Sequence, residues 1–226
     1  MSLQNHAAKA TAIAAALGFE DAAAHGVRDR EIGIAKRVLD LSLAIPLLFV
    51  LAPLLAAIAF WVWLDSPGPV LFRQRRLGLN GKPFGILKFR SMHVLEDGAQ
   101  VAQASRDDAR VTRAGGFLRQ TSLDELPQLL NVIRGEMSLV GPRPHAIAHD
   151  RHYGAIIRDY RARQSVKPGI TGWAQVNGFR GETPTVDIMR GRIEHDVWYA
   201  RRASVLLDLK ILVMTVGVVL KRRNAY

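Results

Sequence analysis

The sequence predicts an α/β fold, mainly helical with few short strands, arranged as a small membrane-associated domain with a re-entrant membrane helix and amphipathic surface helices. Three stretches predict it. Residues 41–64, LSLAIPLLFVLAPLLAAIAFWVWL, hold no ionisable side chain between Asp40 and Asp65. Residues 65–92, DSPGPVLFRQRRLGLNGKPFGILKFRSM, are short runs punctuated by Gly and Pro, the pattern of a turn followed by short strands. Residues 206–223 are mostly apolar, with Asp208 and Lys210 inside and Lys221, Arg222 and Arg223 at the end. That pattern suits an amphipathic helix on an anionic membrane surface; a core helix is the other reading.

Taken in order, residues 1–30 are Ala-rich and read as a mobile or weakly helical extension. Residues 31–64 form the membrane segment. As a straight helix, 41–64 reaches about 36 Å, against a hydrocarbon core of about 30 Å. It begins too far into the chain and is too long for a signal peptide. Pro46 and Pro53 each remove a backbone donor and favour a kink. Arg28, Arg30, Lys36 and Arg37 precede the segment, and Arg73, Arg75 and Arg76 follow it. Positive charge prefers the cytoplasmic side, so a helix bent at Pro53 satisfies both flanks, whereas a straight span satisfies one. The re-entrant form is therefore expected, with a simple span or a buried core helix as alternatives. Residues 65–226 form the domain on the cytoplasmic side. Within it, 96–114 reads as a loop or short exposed helix. Residues 119–144 read as a helix followed by a rigid GPRP turn, 145–165 as a charged helix, and 167–178 as a Gly-rich turn region.

The charge balance selects partners. With 31 Lys and Arg against 20 Asp and Glu, the formal net charge is +11, which suits anionic membrane lipids or phosphorylated substrates. Nucleic acid is excluded as a partner: aromatics make up only 7% of residues and no binding motif occurs. The chain has 0 cysteines, which removes disulfides, Cys-based zinc sites and thiol nucleophiles. No stretch speaks to oligomeric state.

Against this basic background, RQTSLDELPQLLNVIRGEMSLVGPRP (119–144) sets Asp124 beside Glu125. Pro127 is tolerated in a first helical turn, so the helix is expected to start near Asp124. There Asp124 reads as an N-cap, or Ser122 and Glu125 as a capping box. The same position also suits chemistry. A carboxylate at a helix N-terminus is held ionised by the dipole and can attack phosphorus to give an acyl phosphate. Its neighbour can hold Mg²⁺ or move a proton. Lys88, Arg90, Arg119 and Arg143 supply cations for phosphate, Arg143 between two prolines that fix its backbone.

Six stretches together resemble the bacterial polyprenyl-phosphate sugar-1-phosphate transferases, the monotopic phosphoglycosyl transferases. They are KRVLD (36–40), SPGPVLFRQRRLG (66–78), LKFRSM (87–92), TSLDELPQLLNVIRGEMSLVGPRP (121–144), VKPGITGWAQVNG (166–178) and LLDLKI (206–211). The resemblance implies transfer of a sugar-1-phosphate from a UDP-sugar to polyprenyl phosphate, with release of UMP, at the cytoplasmic face of the inner membrane. It implies Asp124 as nucleophile, Glu125 as its partner and Mg²⁺ as cofactor. Lys88, Arg119 and Arg143 fall at phosphate- and nucleotide-contacting cations, and Asp208 at a further functional acid. Pro53 falls at the family's helix break, where Ala52 replaces a serine; Pro46 is a further departure. GPRPHAIAHD (141–150) and VNGFRGET (176–183) resemble the exopolysaccharide-initiating members that use a hexose, so UDP-glucose or UDP-galactose is expected before an N-acetylated amino sugar. The larger members' additional membrane helices and extra domain have no counterpart in these residues, so a minimal catalytic form is expected.

Overall fold

The long and small apolar side chains of 41–64, with no glycine among them, form most of one helix, α1 (Ala22–Asp65). In the computed structural model residues 22–93, 108–181 and 183–220 are described. Most of the expected extension, most of the 96–114 loop and the basic residues 221–223 lie outside the described residues. α1 begins at Ala22, inside the stretch expected as an extension, and stays helical through Pro46 and Pro53. Pro53 removes one backbone donor inside a stretch that is helical on either side of it.

Residues Arg37–Tyr226 fold as one compact unit. Along α1, Ala44, Leu48, Leu51, Leu55, Ile58, Ala59 and Val62 pack on the domain. Their spacings of three and four residues place them on a single stripe. The remaining circumference, including Leu43, Phe49, Val50, Leu54, Phe60, Trp63 and Leu64, is exposed. Both ends of the stripe are tied to the same domain. Asp40, buried, accepts from Ser138 Oγ and Leu139 N at 2.9 Å each. Asp65 accepts from Ala114 N at 3.1 Å. Arg90 donates to the Val62 carbonyl at 3.2 Å and to the Ser66 carbonyl. Tethering of both ends to one domain is consistent with a re-entrant membrane helix.

β1 (Leu71–Leu77) and β2 (Pro83–Phe89) are the expected short strands and pair as a hairpin, antiparallel from Leu71↔Phe89 to Leu77↔Pro83. Its turn places Asn80 at φ 54° and Gly81 at φ 72°, which Asn and Gly tolerate. α2 (Arg113–Thr121) is capped by Thr112, whose hydroxyl accepts from Gly115 N at 2.9 Å. After a tight turn over Leu123–Glu125, α3 (Gln128–Arg134) ends at Gly135 with φ 81°. β3 (Ser138–Val140) then pairs in parallel with β4 (Gly169–Thr171), Ser138 against Gly169 and Val140 against Thr171. β4 lies where a Gly-rich turn region was expected, and β3 in the stretch expected as a helix and a GPRP turn. A Cβ on Gly169 would lie 2.0 Å from Gly141 N, and one on Gly141 2.3 Å from the Lys167 carbonyl. The glycines thus let two backbones meet.

α4 (Ile147–Ile156), α5 (Trp173–Val176), α6 (Val186–Arg202) and α7 (Val205–Leu220) complete the unit. The main core joins Ala44, Ile86, Leu129, Val132, Met137, Leu139, Val140, Tyr199 and Ile211, and so fastens α1, β2, α3, β3, α6 and α7 together. Asn131, fully buried, clamps α3 to β2: its amide donates to the Gly85 carbonyl at 2.8 Å and accepts from Leu87 N at 3.0 Å. α7 is amphipathic in an inverted sense. Its inner face carries the polar Asp208 and Thr215, while Leu206, Leu209, Val213, Val216 and Val219 point outward. The outward apolar stripe suits a lipid surface, while Ile211 on the inner side joins α7 to the core.

Candidate active site

The Asn131 clamp fixes the register between α3 and β2, and with it the approach of Glu125 to Lys88. The chain enters the site through Ser122 in the left-handed region at φ 58° and makes one turn over Leu123–Glu125 before Pro127 opens α3. Neither Ser122 nor Pro127 gives a side-chain cap, and the Ser122 hydroxyl instead accepts from Arg180 at 2.6 Å. The capping readings are therefore set aside.

Glu125 is held from two sides. Lys88 Nζ donates to its Oε1 at 2.8 Å, and Arg143 grips both oxygens, Nη1 to Oε2 at 2.8 Å and Nη2 to Oε1. Burial works to raise the Glu125 carboxyl, but the charges and hydrogen bonds of Arg143 and Lys88 outweigh it and hold the group well below the usual range. Arg143 is itself set by Pro142 and Pro144 on either side and by its carbonyl, which accepts from the buried Arg163.

Asp124, 7% exposed, has no hydrogen-bond partner for its carboxylate among the described residues. Burial pushes its carboxyl up to about 6, with the Lys88 charge opposing and the Glu125 charge adding. The dipole argument made from the sequence thus gives way to desolvation: Asp124 is ionised at neutral pH, but less deeply than a surface carboxylate. Adjacent in sequence, the two acids differ because one is gripped by cations and the other is not.

Both acids line a cavity of about 590 Å³. Lys88, Arg119 and Arg143 share its wall, as expected, joined by Arg76, Arg180 and Arg192. Its apolar lining includes Leu47 from α1 and Leu212, Val218 and Val219 from α7, the two helices with outward apolar faces. Two expected residues are not brought there. Arg90, 2% exposed, spans the carbonyls of Val62, Ser66 and Pro69 and closes the end of α1. Asp208, fully buried, accepts from Tyr199 Oη at 2.6 Å, and Tyr199 also meets the Val140 carbonyl at 3.2 Å. Both are corrections: a buried charge with these partners fastens elements of the fold and is out of reach of a substrate phosphate. Sequence reasoning missed Arg76, Arg180, Arg192 and His145 in the wall. Arg180 and His145 lay in stretches read only as marks of a subgroup.

The donor set is compatible with Mg²⁺. Among the described residues, three or more His, Asp or Glu side chains nowhere gather as a ready-made cage. Mg²⁺ ordinarily takes one or two carboxylates and completes its shell with water and substrate phosphate. A carboxylate has about four lone-pair positions, and the three hydrogen bonds to Glu125 leave one on Oε2. Together with the unengaged Asp124 this makes two donors for a metal that arrives with a diphosphate.

Comparison with known proteins agrees with the motifs. The family described as "Bacterial sugar transferase" matches residues 32–222. Over 195 residues the chain is 56% identical to a UDP-glucose:undecaprenyl-phosphate glucose-1-phosphate transferase of Caulobacter vibrioides, covering 86% of this chain and 73% of that protein. Proteins of the same name from Xanthomonas campestris pv. campestris and Escherichia coli are each 54% identical, over 88% and 81% of this chain. The chain spans 41% of the Xanthomonas protein and 39% of the Escherichia coli one. Since the match runs from the start of the packed part of α1 through α7 and takes in both acids and the cations around them, the chain belongs to the bacterial sugar transferase family.

Proposed function

We propose that the chain transfers a hexose-1-phosphate from a UDP-sugar to polyprenyl phosphate and releases UMP, with Asp124 carrying the phosphosugar between two steps. The observation that carries this reading is the contrast inside the acid pair. Glu125 is held on both oxygens by Lys88 and Arg143, whereas the Asp124 carboxylate is buried, without a hydrogen-bond partner among the described residues, and set in a cationic cavity. The relatives named above act on UDP-glucose and undecaprenyl phosphate, which supports both substrates here.

In the first step an Asp124 oxygen attacks the phosphorus that bears the sugar. The bond from that phosphorus to the bridging oxygen breaks, and UMP leaves with the electron pair. In the second step an oxygen of polyprenyl phosphate attacks the same phosphorus, and the acyl-phosphate bond breaks to regenerate the Asp124 carboxylate. Neither step needs a proton to be moved. Lys88, Arg119, Arg143 and Arg180 balance the phosphate charge from fixed positions, which lowers the barrier without reorganisation. Glu125 holds Lys88 and Arg143 in place. Mg²⁺, held by Asp124 and Glu125 with the diphosphate, would supply further stabilisation of negative charge on the phosphate oxygens.

The apolar lining from α1 and α7 suits a lipid-borne acceptor: its phosphate enters the cationic cavity while the chain stays along outward apolar faces. The domain faces the cytoplasm in this reading, where nucleotide sugars are made, and its product starts assembly of an exopolysaccharide on a lipid carrier. The test uses purified protein with Mg²⁺ and UDP-glucose or UDP-galactose, without acceptor. Stoichiometric UMP and a mass increase of one hexose phosphate, both lost in Asp124→Asn, are expected. UMP release that requires polyprenyl phosphate and leaves no adduct would refute the covalent step.

A further inference from the structure

One buried histidine in the cavity wall is not used by the chemistry above. His145 is 6% exposed, and its Nε2 is buried without a hydrogen-bond partner among the described residues. A buried polar atom left unpaired costs free energy, and the residue that carries it lines the cavity, so a ligand or water that opens a way to Nε2 is stabilised there. Its chemical character follows from its neighbours. Tyr160 Oη donates its single proton to Asp150 Oδ1 at 2.7 Å. With Asp150 ionised, the contact of His145 Nδ1 with Tyr160 Oη, also 2.7 Å, is donated by the ring, Nδ1–H to Oη. Arg163 Nη1 lies farther from the same nitrogen, at 3.4 Å, and faces Asp150 Oδ1 at 3.7 Å, while its Nη2 and Nε hold Asp196. Nδ1 therefore carries the proton and Nε2 the lone pair. Burial, then the charges of Arg163, Arg192, Arg76 and Arg143, hold the ring well below the usual histidine range and keep it neutral.

A neutral acceptor among arginines is an unusual arrangement for a site that takes phosphates. Phosphate oxygens are acceptors too and gain nothing from Nε2; polyprenyl phosphate carries no other polar group. Donors come only from the nucleotide sugar: hydroxyls of the sugar or ribose, or the base N–H. His145 is separated from Arg143 by Pro144 alone, and Arg143 holds Glu125 next to the attacking carboxylate. The group attached directly to the attacked phosphorus is the sugar.

We propose that His145 is a specificity-determining residue, whose Nε2 accepts a hydrogen bond from a hydroxyl of the donor sugar, with Tyr160 and Asp150 as positioning residues that hold the acceptor tautomer. This rests on the donor reading above. The test measures binding to full-length protein carrying Asp124→Asn, so that no turnover intervenes, with UMP, UDP-glucose and its four monodeoxy analogues as probes. With His145 present, one analogue should bind about tenfold more weakly than UDP-glucose. In His145→Ala, UDP-glucose should weaken by about that factor, the same analogue should lose nothing further, and UMP should bind unchanged. Tyr160→Phe should weaken UDP-glucose alone, and by less. His145→Gln, which places an amide near the Nε2 position, serves if the alanine variant does not fold and should keep part of the discrimination. Equal loss for UMP and UDP-glucose, or discrimination that survives without His145, would overturn the proposal while the donor reading stands. Absence of UDP-glucose binding even with His145 present would remove the donor reading, and this proposal with it.

Discussion

Asp124→Asn should make the protein more stable while it abolishes the proposed adduct. The folded chain raises this carboxyl from 3.8 to about 6, chiefly by burial. A raised acid binds its proton more tightly in the folded state, so ionisation at neutral pH works against folding. At 1.36 kcal/mol per pH unit the span corresponds to about 3 kcal/mol. Part of that is offset because the asparagine amide also needs partners, which leaves roughly 1–3 kcal/mol of gain. For a chain of this size that is a rise of roughly 3–10 °C in Tm. The sign fixes the pH window. Below about pH 4 aspartate is protonated in both states and the gain vanishes; it grows between about 4 and 6 and is level above. The measurement is thermal unfolding of both proteins in one detergent from pH 4.5 to 8, without divalent cations or nucleotide, since either would stabilise the ionised acid. A variant no more stable than the parent at pH 8, or a gain that does not shrink toward pH 4.5, would refute the assignment of burial as the dominant influence.

Three further outcomes follow from the same geometry. UMP release should fall on the acid side with a midpoint near pH 6, as Asp124 gains its proton, and Lys88→Met should move that midpoint upward, because Lys88 opposes the rise; a pH–rate profile that does not move would count against direct Lys88–Asp124 interaction. Asp208→Asn should lower stability by about 1–3 kcal/mol through the lost charged acceptor of Tyr199, while the folded protein binds UDP-glucose normally; calorimetric titration beside a melting curve separates the two effects. Gly169→Ala should abolish or severely impair folding, since its Cβ would lie 2.0 Å from a backbone nitrogen; a well-folded variant by circular dichroism would contradict the close pairing of β3 and β4.

The sequence made local features legible and distant ones not. The β1–β2 hairpin is written in its Gly- and Pro-punctuated residues, and α1 in an unbroken apolar run. The pairing of β3 with β4 is not: strands of three residues are too short for a period to register, and glycines that admit a second backbone look the same as glycines in a turn. Among the expected charged residues, Lys88, Arg119 and Arg143 line the cavity, whereas Arg90 and Asp208 tie elements of the fold together. A motif marks a charge as needed without saying whether it faces ligand or backbone. Only the fold brings Arg180 to Ser122 and lines up His145, Tyr160 and Asp150.

The acid pair of this basic chain is best understood as a division of labour. A two-step exchange asks one carboxylate to be nucleophile first and leaving group afterwards. A strongly stabilised carboxylate leaves readily but attacks poorly; a strongly basic one does the reverse. Asp124, at about 6, lies between these limits, ionised at neutral pH and stripped of water by burial. That balance depends on its neighbour. Without Glu125, Lys88 and Arg143 would turn on Asp124 itself and pull it down toward an inert ion pair. With Glu125 holding them, the cations keep their place beside the phosphates and Asp124 keeps its reactivity. In the proposed exchange the second acid thus protects the first from the positive charge that phosphate substrates require.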